Sequence, residues 1–501
     1  MQPVERIHGA TRRELLAAGG GLLAAALLAP DAVAGRLVRA GRQGSTAAAV
    51  AHTFLSRPDL RPPTVEITRA DRSPSGGLVF LTPFTLPNPP SDEAAGLLIV
   101  DARGTPVWFR PVSGRTTAVD LRVQQLRGQS VLTWWEGVVF GGYGGSWVVA
   151  DRRYRPIARI RAGNGYKGDL HDLLLTTRGT ALLTIYNEVK HDLTAIGGPA
   201  DGRLVEGIVQ EIDVRSGKVL LEWHSLDHVA LEETHEPQVT PDGNVDYFHL
   251  NSIGVDADGH LLLSARHTSA VYKVHRRTGQ VLWRLGGKRS DFALGPGVAF
   301  GYQHDARRRP DGTLTLFDNA LSLPTQKEGT SRAIRLRLDE RRRTARLVRA
   351  YGAGARLGWA MGNAQQVRDG GMFVGWGMDP SFTEIGPKGI VRLDGRFVGR
   401  SVSYRAYRAP WVGVPSTPPD VTTATLANGA TAVYASWNGA TEVRRWRILA
   451  GSTRNDLRVV RTVPRRGFET AAAVPGLPSY VAAVALDAAG RELGRSAVTR
   501  A

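Results

Sequence analysis

Three stretches of the chain align in register, and each carries a histidine at nearly the same place: GDLHDLLLTTRGTALLTIYN, DYFHLNSIGVDADGHLLLSAR and GYQHDARRRPDGTLTLFDNA. His171, His249 and His304 stand at the start of an apparent strand. Ten to thirteen residues later, past a glycine turn, a second apolar run begins at Leu182, Leu262 or Leu314. Each unit closes on a residue able to hold an anion or an amide: Asn187, Arg266 or Asn319. Ten of the 12 histidines lie between 171 and 304. Three imidazoles in register offer two chemistries. They can ligate a metal, with Asp172 and Asp305 as supporting carboxylates. Alternatively, one is a nucleophile while the others and an arginine clamp an oxyanion. Arg266 favours the second, because a guanidinium repels a divalent ion whereas its planar donors match a tetrahedral oxyanion. No metal or other cofactor is therefore expected. His191, His224, His228, His260 and His275 fall near turns and read as solvated. His267 follows Arg266 along a strand, so alternation sends it to the opposite face.

Such residues meet only if the strands that carry them surround a common axis. Between about 75 and 410 the chain repeats one grammar six times: a short β-rich run, a second strand, a glycine turn, and a strand that often ends in Trp. With Val79, Val131, Leu182, Leu262, Leu314 and Phe373 as equivalents, the intervals are 52, 51, 80, 52 and 59 residues. Several strands per unit at that period, with turns such as Asp258-Gly259 and Asp311-Gly312, predict an all-β, six-bladed β-propeller over 61–410. The long interval marks an insertion near 225–246, expected to fold over one mouth. In a propeller the innermost strands line the axis, so His171, His249, Asn251 and His304 should converge there with Arg266 and Asn319. Trp134 and Trp376, on the second strands, are expected as walls of the pocket.

After Pro410-Trp411 the texture changes. A Pro-rich joint leads into alternating runs such as AVYASWNG and SYVAAVALDAAG, which predict an immunoglobulin- or fibronectin-III-like sandwich over 415–501. The 501 residues carry a formal charge of +18, almost entirely as scattered Arg, with no recognition motif, so nucleic acid is not an expected partner. The absence of cysteine excludes disulfides and thiolate chemistry. At the N-terminus, Thr11-Arg12-Arg13-Glu14-Leu15-Leu16, an apolar run to Leu28 and Ala32-Val33-Ala34 make a twin-arginine signal over 1–34. That predicts a secreted or envelope protein that meets the twin-arginine export machinery already folded. Residues 35–60 read as a linker.

The segment from His249 through GYQHDARRRPDGTLTLFDNA closely resembles the bacterial arylsulfotransferases, and the likeness extends over roughly 55–410. The resemblance implies a six-bladed propeller that moves a sulfuryl group from an aryl sulfate donor to a phenolic acceptor through a sulfohistidine, without a nucleotide donor. It places the nucleophile on His304 of the Gln303-His304 motif, the family's HxN pair on His249 and Asn251, its arginine on Arg266 and its earlier histidine on His171. Arg266, His249 and Asn251 would hold the sulfuryl oxygens, and His171 would serve the phenol oxygen as acid and base. The alternative is an exported propeller that binds a ligand or partner without turnover.

Overall fold

The computed structural model describes residues 51–71, 76–85, 94–138, 144–235, 238–239, 244–321, 329–474 and 476–501. Among these, every regular element longer than three residues is a β-strand. Among the described residues no helix is long and apolar enough to cross a membrane. The signal-peptide expectation and residues 35–50 of the linker lie outside the described residues. Residues 51–60, read as tether, are instead held: Leu60 is buried, Ala51 bridges Pro63, and Glu469 accepts the Ser56 backbone N–H at 2.6 Å.

Among the described residues up to Ala409 the strands form six four-stranded antiparallel units, with Val65–Ala70 added to the last, Ala293–Leu294 to the fifth, and Gln238–Val239 and Val245–Asp246 to the third. Their first strands are Ser401–Ala409, Thr117–Leu126, Gly168–Leu175, Leu250–Val255, His304–Arg308 and Asn363–Gln366. Ser401–Ala409 follows the sixth unit along the chain, but it pairs with Leu78–Thr85 and becomes the first strand of the first unit. The end of the segment thus closes on its beginning, a pairing between distant residues that periodicity cannot show. Each first strand contacts the next in the order given, and Asn363–Gln366 returns to Ser401–Ala409. The second and third units are joined by one pair, Gly145↔Gly168, into a ten-stranded sheet. A Cβ on Gly145 would sit 2.3 Å from the Trp135 ring, so only glycine allows this approach. Apolar clusters fill the space between neighbouring units, as with Leu262, Leu285, Phe300, Leu316 and Ile334.

Five of the six pairings between first and second strands lose register, between Leu81 and Pro83, Val119 and Arg122, Leu183 and Ile185, Leu250 and Ser252, and His304 and Arg307. A bulge bends the strand and re-aims its side chains. Asp120 and Asp305 take positive φ there (60° and 56°). The re-aimed residues meet in a buried ion network. Asp172 accepts from Arg122 at 2.7 Å, Arg307 at 2.7 Å and Arg405 at 3.2 Å, while Arg122 and Arg405 also face Asp120. Burial alone would raise the Asp172 pKa, but Arg307, Arg122 and Arg405 outweigh it and hold the carboxyl far below the usual range. Asp172→Ala leaves three guanidiniums facing one another without their shared counterion. The expected loss is about 3–5 kcal/mol, by analogy with breaking other buried ion pairs. Urea denaturation checks it, with the exposed partner change Arg458→Ala costing under ~0.5 kcal/mol.

Two further antiparallel sheets follow. One holds Asp420–Thr425, Thr431–Ser436 and Glu469–Val474; the other is built on Arg445–Gly451 and Tyr480–Leu486. Val433, Ala472, Trp446, Ile448, Val481 and Ala483 from both sheets share one core. Tyr154, stacked on Trp108 at 4.6 Å, joins this part to the rest by donating to the Gly439 carbonyl at 2.7 Å.

Candidate active site

Two of the histidines enter this centre near strand starts, each held by a carboxylate close to it in sequence. His171 lies in Gly168–Leu175, and its Nδ1 bonds the Asp169 carboxylate at 2.7 Å. The same carboxylate oxygen accepts the His171 backbone N–H and the Thr184 hydroxyl. His249 stands just before Leu250–Val255 with φ 54°, and its Nδ1 lies 2.5 Å from Asp246 Oδ2. The two rings meet edge to face with centroids 4.8 Å apart. Tyr186 stacks on His171 at 4.9 Å and closes the side of the pair.

His304 opens its strand and is fixed differently. Asn319 donates its amide to the carbonyls of Gly358 (2.5 Å) and Met361 (3.0 Å), so its Oδ1 must accept from His304 Nδ1–H at 2.7 Å. The Tyr302 carbonyl shares that proton at 3.0 Å. This tautomer leaves the Nε2 lone pair of His304 for chemistry. Burial, then the nearby Arg266 charge, pushes the His304 pKa well below 6.5, so the ring is neutral at physiological pH. His249 is depressed in the same way, by burial and then by His171 and Arg266. Burial raises the Asp246 pKa, opposed by the nearby His267, His171 and Arg266.

Arg266 is almost fully buried and its guanidinium lies 4.2 Å over the Tyr302 ring. Nη1 meets His267 Nε2 at 2.8 Å and Nη2 donates to the Trp359 carbonyl at 3.4 Å. Burial lowers its pKa to about 10, which still leaves it charged at neutral pH.

The convergence predicted for His171, His249, His304 and Arg266 is what the geometry contains. Asn251 reaches the same strand start, donating to the Gln303 carbonyl at 2.7 Å with Oδ1 buried and unpartnered. Three expectations need correction. Asn319 has its amide fully engaged with His304, Gly358 and Met361, so it orients the imidazole and has no donor left for substrate. Trp134 and Trp376 are not walls. Trp134 is fully buried between the first two units with its indole N–H on Glu136, and Trp376 is buried against Phe317 with its N–H on Thr383. His267, assigned to the opposite face, packs 4.6 Å from His249. The strand Leu261–Ala265 ends before it, and Arg266 and His267 lie in the following turn, where alternation no longer applies.

Asp169, Asp246, Tyr186 and Tyr302 escaped the sequence reading. The aligned stretches did carry a signal for two of them: an Asp precedes His171 by two residues and His249 by three.

Asp246, His249 and His267 offer ligand atoms within 4.8 Å of one another, the one such trio among the described residues. They do not fit a resident metal. His267 spends Nδ1 on the Asp246 carbonyl at 2.6 Å and Nε2 on Arg266, and the fixed guanidinium opposes a second cation.

Three histidines, the partly buried 249 and the buried 267 and 304, have pKa values pushed down by burial first. Folding therefore holds them neutral, while the unfolded chain binds their protons below about pH 6.5. The stability this contributes is present above that pH and drains as the pH falls toward the lowered values. Melting temperature should drop between pH 7 and 5, and His267→Gln should show a shallower drop than the parent chain.

A search of curated proteins returns no match. Among solved structures, a protein of unknown function from Bacteroides caccae shares 12% identity, over 67% of this chain and 100% of that one, with a TM-score of 0.42. A catalytically inactive virginiamycin B lyase from Staphylococcus aureus with quinupristin shares 8%, over 75% and 97%, with a TM-score of 0.33. Likeness at that level bears on no activity. The model of the arylsulfotransferase (ASST) family, in contrast, matches residues 122–398, more than half of the chain and the whole histidine centre. By that match, this chain is a member of the arylsulfotransferase family.

Proposed function

We propose that the protein is a six-bladed β-propeller enzyme, followed by an immunoglobulin-like sandwich, that transfers a sulfuryl group between phenols through a sulfohistidine on His304. The observation that carries this reading is the His304 ring, whose Nδ1–H is held by Asn319 so that Nε2 is left as a lone pair with Arg266 close by. The six first strands, each touching the next, support the architecture.

In the first half-reaction the Nε2 lone pair of His304 forms a bond to sulfur as the sulfur–aryl oxygen bond breaks. His171, held by Asp169, gives its proton to the departing phenolate oxygen. In the second, the acceptor phenol oxygen bonds to sulfur, the Nε2–S bond breaks, and His171 takes the phenol proton. Arg266 faces the sulfuryl oxygens, where negative charge gathers. His249, with a protonated Asp246 donating to its Nδ1, joins it through Nε2–H, and Asn251 through its second amide N–H. The donor is a small aryl sulfate and the acceptor a phenol, with no cofactor and no nucleic acid.

Incubation with 4-nitrophenyl sulfate and phenol tests the reading: nitrophenol release that depends on phenol supports it. Binding without release points to the non-catalytic alternative. The proposal includes twin-arginine export. Replacing Arg12 and Arg13 by Lys should retain the protein in the cytoplasm on fractionation, and unchanged export overturns that part.

A further inference from the structure

The guanidinium that faces the reacting oxygens cannot hold itself still. Arg266 follows the last residue of its strand, in the turn between Leu261–Ala265 and Ala270–Val274, and among the described residues no carboxylate forms an ion pair with it. What it has is His267 at 2.8 Å, the Trp359 carbonyl at 3.4 Å and the Tyr302 ring beneath it. An arginine only donates, so His267 Nε2 must be the acceptor. His267 can accept there only as the Nδ1–H tautomer, and Nδ1 indeed meets the Asp246 carbonyl at 2.6 Å. The same Asp246 grips His249 through its side chain.

We propose that His267 is a positioning residue, a neutral imidazole that aims Arg266 by accepting from Nη1 while Asp246 anchors it from behind. Asp246 then aligns two arms of the centre at once, His249 through its carboxyl and Arg266 through His267. A carboxylate in the place of His267 would hold the arginine more tightly but would neutralise the charge that an oxyanion needs. A neutral acceptor fixes the direction and leaves the charge available. Burial also keeps His267 unprotonated, so its lone pair persists at neutral pH.

The identity of the oxyanion rests on the sulfuryl-transfer reading; the relay itself does not. The test is a double-mutant cycle on the full chain, read by two probes: turnover of 4-nitrophenyl sulfate with phenol, and calorimetric binding of inorganic sulfate. His267→Leu should lower kcat by ~10²-fold with little change in KM, because the aim of Arg266 matters most in the transition state. His267→Gln supplies one amide oxygen and one N–H and should stay within about tenfold of the parent. In an Arg266→Ala background, His267→Leu should cost less than about threefold, since the two changes remove one function. A purely packing role would make the His267→Leu loss equal in both backgrounds and Gln no better than Leu, and either result overturns the proposal. If the parent turns over no aryl sulfate yet sulfate affinity shows the same coupling, the relay stands and the transferase reading falls. If the parent turns over aryl sulfate and neither probe shows coupling, the transferase reading stands and the relay falls.

Discussion

His304→Ala should abolish phenol-dependent nitrophenol release and leave no sulfated protein after exposure to donor alone. The expected loss is at least about 10⁴-fold, the scale on which removal of a nucleophile acts in enzymes whose remaining groups still bind the substrate. The fold should survive, because among the described residues the ring makes two hydrogen bonds and no ion pair, with Asn319 Oδ1 and the Tyr302 carbonyl. Mass spectrometry of the donor-treated protein separates the half-reactions: the parent gains one sulfuryl group and the variant gains none. A sulfated variant would move the nucleophile to His171 or His249. Asn319→Leu should show a weaker form of the same defect. It removes the acceptor for Nδ1–H and leaves the tautomer undecided, at roughly 10–10² in rate, the scale of orienting groups behind a catalytic imidazole.

Arg266→Lys should fold with the melting temperature of the parent within a few degrees, yet lose about 10²–10³ in kcat, the range for losing an oxyanion donor. A lysine keeps the charge but cannot reach His267, the Trp359 carbonyl and the substrate oxygens together from one planar fork. Nor does an ammonium lie flat on the Tyr302 ring as the guanidinium does at 4.2 Å. The loss should be similar for both half-reactions, since the same oxygens carry the charge in each. A lysine variant with unimpaired kcat would show that charge alone suffices and that the fork geometry is idle.

Much of this centre was legible in the sequence. The three aligned histidines could be found because the unit that carries them is repeated, and a repeated strand start implies a repeated position around an axis. Arg266 was legible for the same reason, standing where Asn187 and Asn319 stand in the neighbouring units. The two tryptophans misled because strand alternation says which face a residue takes but not whether that face is a pocket or the space between two sheets. Asn319 was placed correctly and given the wrong task. Whether an amide meets substrate or a neighbouring imidazole depends on the Gly358 and Met361 carbonyls, which arrive from the loop before the sixth unit.

The sequence by itself determined the all-β character, the repeat and which residue types reach the centre, because those follow from local periodicity and from the spacing of turns. Tertiary structure alone decided the closure of Ser401–Ala409 onto Leu78–Thr85, the Asp172 ion network and the direction of His267. Each depends on chain segments far apart in sequence, or on a bulge or turn where the two-residue period lapses, and period is the only signal a single strand carries.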